Sequence, residues 1–415
     1  MEHLSSEIRT VRFNAALTLG ELGEKSAESV SSLITCLEDE DWSICREATK
    51  SLGKIGESAV DAIPRLAELL NDKEVSIRKE AAISLGKIGV ATEIAVSSLI
   101  VALGDRNEET RTEIVNTLGK MGAGAHIAIP NLIGCFKDPS WTVRTAAAQA
   151  IDRIGKGSTA AIPALVKALE DGDWRVRSRS INTLVQIGEP AIPPLLQVIN
   201  NENPIVRQGV VEALGEMKVS DQDVIRTMAS LLTDKVEKVR GKTADALRSI
   251  GEDAIPAMID AYASANEKMK ILILSSLGGI GQDAEIAIPH FIENLKIGGT
   301  KVRTEAARSL GKIGLTENSV INALKDALAD GKGAVRREAA LSLGKLGSGA
   351  SAVIPALLIA LNDKQPDVRW RVSEALGKIG VASNDVVSKL EFMMHDEKDF
   401  VAEAAQEALD LIGGQ

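Results

Sequence analysis

The chain has 415 residues, 45% of them apolar and only 2% aromatic, and it carries a net charge of −10 with a pI near 5.2. So few large aromatics argue against a thick globular core, and the acidic balance argues against nucleic acid or an anionic membrane as partners of the surface as a whole. No apolar run approaches the roughly 20 residues that cross a bilayer, and three scattered cysteines without a signal-peptide pattern point to a reducing, cytoplasmic setting.

Self-similarity governs the order of elements. A Leu-Gly-x-Ile-Gly string recurs, and its final glycine stands at Gly23, Gly56, Gly89, Gly122, Gly155 and Gly188, at intervals of 33. The series continues through Lys218, which takes the glycine slot, to Gly251, Gly281, Gly314, Gly347, Gly380 and Gly413, with intervals of 30 ending at Lys218 and Gly281. Thirteen units follow one another without a linker, so one uninterrupted array over residues 1–415 is expected. Too few residues precede Val11 and Arg12 for a full unit, so the first one is expected to lack its first helix.

Each unit reads as two helices. The first opens at Ala-Ile-Pro, as at Pro64, Pro130, Pro163, Pro256 and Pro289, or at Val-Ile-Pro, as at Pro355, because proline suits a first turn whose N–H has no partner. Ile63, Leu66, Leu69 and Leu70 give that helix its apolar stripe. The second helix places Val302, Ala306, Leu310 and Ile313 at offsets of 4, 8 and 11, which is one buried face at a 3.6-residue period. A left-handed glycine is expected to end it. The earlier glycine of the string, at Gly53, Gly86, Gly119, Gly311, Gly344 and Gly377, lies inside the helix, where glycine costs about 1 kcal/mol relative to alanine. Recurrence implies close approach by the next helix.

An acidic residue closes most first helices, from Asp39, Asp72, Asp105, Asp138 and Asp171 to Asp234, Asp330, Asp363 and Asp396. Six residues later stands Arg78, Arg111, Arg144, Arg177, Arg240, Arg336 or Arg369, while Cys45 and Ala402 break the series. The planar guanidinium fork suits carboxylates of its own and adjacent units, so the row reads as a structural ladder.

The combined pattern of Ala-Ile-Pro, an apolar helix, Asp, and then a run clearest at Val335-Arg336-Arg337-Glu338-Ala339-Ala340-Leu341-Ser342-Leu343-Gly344-Lys345-Leu346-Gly347 resembles short HEAT-like repeats of the kind found in phycobilisome lyases. The resemblance implies an all-α fold, an α-solenoid in which helix pairs build a right-handed superhelix of about thirteen repeats. It is unspecific for function, since the fold serves scaffolds, transport factors, lyase subunits, a hydroxylase and DNA glycosylases. The hydroxylase relatives hold iron with His-Glu pairs. Here His3, His126, His290 and His395 are scattered and none precedes Glu, so neither a metal nor another cofactor is expected. Cys36 and Cys135 sit in first-helix core slots, and Cys45, in an arginine slot, is the one thiol that suggests reactivity. No nucleophile has a nearby base, so no enzymatic activity is expected.

What remains is a scaffold or adaptor that binds a protein or peptide on a concave face formed by the second helices. A bilin lyase-like or isomerase-like subunit is the alternative that the resemblance implies, and nucleic-acid binding is a weaker one. Trp42, Trp141 and Trp174 share one slot and read as a rim over the turn. Arg175 and Arg179 suggest a local anion site, although Asp171 and Asp173 argue against a phosphate track. On second helices the two positions after the arginine slot are expected to face outwards. Most units place polar groups there, such as Lys79-Glu80 and Thr304-Glu305, whereas Ile271, Leu272, Arg337, Trp370 and Arg371 stand out as types that dominate interfaces, and they form the candidate binding site.

Overall fold

Both halves of the repeat become helices. The second helices run Arg9–Leu22, Trp42–Ile55, Val75–Ile88, Glu108–Lys120, Trp141–Ile154, Trp174–Ile187, Pro204–Glu216, Glu237–Ile250, Glu267–Ile280, Thr300–Ile313, Gly333–Lys345, Pro366–Ile379 and Asp399–Gly413. Shorter first helices alternate with them, from Val30–Thr35 and Ile63–Leu69 to Ile354–Ala360 and Asn384–Met393, and ahead of Arg9 stands a 3-10 turn, Glu2–Ser5. The computed structural model describes residues 2–155 and 157–413, which fall into two units, 1–213 and 214–415. Each is an α-solenoid of stacked helix pairs, and no strand occurs among the described residues.

The predicted stripes are the core. Val302, Ala306, Leu310 and Ile313 are all at most 3% exposed, and on a first helix Ile63, Leu66 and Leu70 are buried. Leu69 is only half-buried, because Ala67 takes the inward position on that helix.

Between neighbouring second helices the internal glycines do what their recurrence implied. A Cβ on Gly53 would stand 2.9 Å from the Ser84 Cα, one on Gly119 2.8 Å from the Ala150 Cα, and one on Gly377 2.7 Å from the Ala408 Cα. The facing residue is always small, and at Ser51, Thr117, Ser309 and Ser342 its hydroxyl bonds back across the contact, whereas the Ser84 hydroxyl has no partner among the described residues. Ser51 Oγ donates to the Ala16 carbonyl at 2.8 Å, Thr117 Oγ1 to Ala82 at 2.8 Å, and Ser342 Oγ to Ala307 at 2.9 Å. These hydroxyls sit just ahead of Leu-Gly in the sequence, and their role comes to light only in the packing.

Helix ends depart from expectation in an instructive way. Gly89 and Gly314 take the expected left-handed conformation, at φ/ψ of 75/−1° and 74/12°. Gly56 and Gly188 reach 77/−143° and 77/−141° instead, a region that is essentially closed to other residues. The difference tracks the segment beyond the glycine. After Gly56 and Gly188 the chain turns straight into a 3-10 segment, Gly56–Ala62 or Glu189–Ala191, whereas after Gly89 it first runs extended to the capping Thr92. Lys218, in the glycine slot, adopts φ 50°. A side chain pays a steric cost there that glycine does not, so Lys218→Gly should raise the urea midpoint, by the equivalent of about 0.5–1 kcal/mol, and an unchanged or lowered midpoint would refute the strain.

The ladder connects neighbouring repeats through their turns. Arg78 donates from Nε and Nη2 to the carboxylate of Asp105, 27 residues on, and from Nη1 to the carbonyl of Asp72 in its own repeat at 2.9 Å. Arg111 with Asp138, Arg144 with Asp171, Arg336 with Asp363 and Arg369 with Asp396 repeat this geometry, and Arg12 with Asp39 and Arg303 with Asp330 extend it. The carboxylate partner therefore belongs to the next repeat, and the arginine's own aspartate contributes a backbone oxygen. Each carboxylate also accepts the N–H two residues on, as Asp363 does from Gln365 at 2.8 Å, which shapes the turn.

Candidate protein-binding face

Because the glycines let second helices approach so closely, side chains on their outer face meet across the seam. Lys79 Nζ donates to Glu109 at 2.6 Å, Thr112 and Thr142 share a hydrogen bond of 3.2 Å, and Arg308 spans to Glu338 at 3.2 Å. The positions after the arginine slot are thus shared between neighbours, which corrects the expectation that they point freely outwards. Glu305 and Glu338 are 5% and 3% exposed.

The candidate residues follow the same rule, and all five are half-buried. Ile271 and Leu272 lie on helix Glu267–Ile280, where Lys270 stands over the Tyr262 ring, 5.0 Å from its centroid, and Tyr262 donates its hydroxyl to Asn294 Oδ1. Two repeats further on, Arg337 comes within 4.0 Å of Asp367 on the next helix. That helix carries Trp370 and Arg371. The Arg371 guanidinium lies 3.7 Å from the Trp370 ring centroid and donates to Glu374 at 2.6 Å, while Trp370 meets Phe400 edge-on at 5.9 Å. The fold thus joins Arg337, Trp370 and Arg371 across neighbouring helices and leaves Ile271 and Leu272 apart, with helix Thr300–Ile313 between.

The rim tryptophans are more exposed than the candidate residues, with Trp42 at 47%, Trp141 at 39% and Trp174 at 61%. The thiols are withdrawn from solvent, Cys36 and Cys45 buried and Cys135 half-buried. Cys45 is buried with its Sγ 3.3 Å from the Leu37 carbonyl, and burial, reinforced by nearby Asp72, pushes it up to about 11. Cys135 is likewise pushed up to about 11 by burial, so Cys45 loses the special status that its slot suggested. No cluster of three metal-ligating side chains occurs among the described residues, and no helix among them is long and apolar enough to cross a membrane.

Stacked helix pairs with a recurrent Arg–Asp link between turns are also what sequence comparison recognises. The model for HEAT repeats matches at residues 1–86, 67–152, 129–197, 192–278, 255–344 and 321–410. The chain belongs to the HEAT-repeat family. Among curated proteins none matches this HEAT-repeat chain. Solved structures similar to it include the karyopherin Kap121p bound to RanGTP, at 17% identity and a TM-score of 0.62 over 100% of this chain and 52% of that one. Kap121p bound to Nup53p is similar at 16% identity and a TM-score of 0.63, over 99% and 52% of the two chains. Kap95p, in a study of its binding to RanGDP, gives 16% identity and a TM-score of 0.51, over 99% and 65%. The HEAT-repeat chain spans about half the length of Kap121p, and at these identities the likeness concerns the fold.

Proposed function

We propose that this HEAT-repeat protein is a scaffold or adaptor, acting as one array, that binds a protein or peptide on the face of its second helices, which we take as the concave one. The observation that carries the reading is the joined group of Arg337, Trp370 and Arg371. Arginine and tryptophan dominate interface energetics, and here the Arg371 guanidinium rests over the indole, which pre-orients both for a partner and lowers the ordering cost of binding. Ile271 and Leu272 form the second contact point of the same surface. Similar karyopherin structures were solved with protein partners, Nup53p and RanGTP among them, which supports the same class of role.

The test is comparative capture followed by measured affinity. A partner retained by the native chain should bind Leu272→Asp and Trp370→Ala each at least about 1 kcal/mol more weakly, with circular dichroism unchanged. Equal affinity in both variants overturns this site.

A further inference from the structure

A second surface, in unit 1–213, has a different chemistry. Helix Trp174–Ile187 carries three arginines and no acidic residue, in a chain whose net charge is −10. Arg175 lies against two exposed indoles, its guanidinium carbon 4.5 Å from the Trp141 centroid and 5.1 Å from that of Trp174, with Asp173 accepting from one nitrogen at 3.2 Å. This posture leaves one hydroxyl without a partner among the described residues. Thr145 stands where Lys79 and Thr112 bond to residues 30 further on, but its own counterpart is Arg175, turned onto the indoles, and the buried Thr145 hydroxyl has no partner.

Next to this cluster lie further polar side chains, half-buried or exposed, that no group among the described residues engages. Asn116, Gln149 and Asn182 occupy one slot on three successive second helices at intervals of 33, and their carboxamides have no partner among the described residues. The guanidinium groups of Arg153 and Arg179 likewise have no ionic or hydrogen-bonding partner among those residues. The register that joins Arg308 to Glu338 in the other unit places Gln149 beside Arg179. Helices packed about 8–10 Å apart present one carboxamide for every three residues of an extended chain, at about 10 Å. Each carboxamide offers a donor and an acceptor, which is what a peptide bond requires.

We propose that this surface binds an extended acidic peptide segment of a partner protein. The carboxamides of Asn116, Gln149 and Asn182 hydrogen-bond its main chain, Arg179 and Arg153 pair with its carboxylates, and Trp174 packs its apolar side chains. Charge complementarity selects an acidic occupant, and the main-chain match of the carboxamides favours a peptide over nucleic acid. The proposal rests on the protein-binding role of the chain, and it adds a partner chemistry on residues separate from Leu272 and Trp370.

Fluorescence anisotropy with the full chain tests it, using a labelled peptide of four Glu-Val-Thr triplets, its Lys-Val-Thr counterpart and a twelve-nucleotide oligothymidine, in 0.15 M salt. The acidic peptide should bind saturably. Arg179→Glu and Trp174→Ala should each weaken it at least tenfold, and the exposed, charge-neutral Asn182→Ala at least threefold, while Trp370→Ala leaves it unchanged. Absence of saturable binding, equal binding of the lysine peptide, or no effect of Asn182→Ala overturns the proposal, and tighter binding of oligothymidine replaces it with a nucleic-acid site. Those failures leave the capture result with Leu272→Asp and Trp370→Ala standing or falling by itself.

Discussion

Gly311→Val should lower stability by about 2–3 kcal/mol or more, one of the largest effects of any single substitution in the chain. Its Cβ would lie 2.6 Å from the Ser342 Cβ and 2.8 Å from the Ser342 Cα, and the backbone atom cannot swing aside as the end of a flexible side chain can. Overpacking of this kind costs about 1–3 kcal/mol in ordinary cores. Here the two helices must also separate, which stretches the 2.9 Å bond from Ser342 Oγ to the Ala307 carbonyl. Gly241 supplies the contrast. It too lies inside a second helix, but nothing stands within 4 Å of its ideal Cβ, so Gly241→Ala should stabilise by about 0.5–1 kcal/mol. Urea unfolding followed by circular dichroism distinguishes the two. Similar destabilisation by both would mean that helix approach is not what the internal glycines serve.

Arg336→Met should cost about 2–4 kcal/mol. Both side chains of the Arg336–Asp363 pair are 9% exposed, and removing one partner of a buried pair leaves the other charge without compensation. The same change at Arg177 should cost less. Arg177 donates to the carbonyls of Asp171 and Gly172, at 2.7 and 3.2 Å, but in the shorter repeat that follows the aspartate slot holds Asn201, so no carboxylate is orphaned. Arg337→Met, outside the ladder and near Asp367 only at 4.0 Å, should change little. Acid provides an independent check. Burial pushes the Asp363 carboxyl up, but the Arg336 bond and the Gln365 N–H pull it further down, and it ends below the usual range. A carboxyl whose folded value is depressed stabilises the fold fully above its unfolded pKa, and it loses that contribution as pH falls through the folded value, from about pH 5 downwards. The native chain should therefore weaken in acid more steeply than Arg336→Met. Parallel pH profiles would remove the ladder as a source of stability.

Periodicity made the fold legible because every repeat solves the same packing problem, so Val302, Ala306, Leu310 and Ile313 announce a buried face without reference to any contact. Gly53 and its equivalents were legible for a similar reason, since a recurrent local cost implies a recurrent benefit. The ladder was half legible. Chain spacing displays Asp330 six residues before Arg336 and hides Asp363, which is 27 residues away and yet is the residue that Arg336 grips. Outward-facing positions were misjudged at Glu305 and Glu338, because helical phase gives the direction of a side chain and not the height of the neighbouring helix that covers it. The contact of Arg175 with both Trp141 and Trp174 was beyond reach from sequence, since it depends on one arginine turning away from Thr145.

The ladder's register bears on how such a chain can change length. Arg303 grips Asp330, Arg336 grips Asp363 and Arg369 grips Asp396 at one constant separation of 27 residues. Excision of residues 336–368 would bring Arg369 to the position six residues after Asp330, set Ala375 opposite Gly311 in place of Ser342, and leave the Arg303–Asp330 and Arg369–Asp396 clasps intact. A deletion of any other size would misalign the clasps and the glycine seam together. Loss or gain of a whole 33-residue repeat thus keeps every joint in register, whereas the two 30-residue intervals, ending at Lys218 and Gly281, coincide with Asn201 and Ser264 in the aspartate slot, where no carboxylate is offered to the preceding arginine.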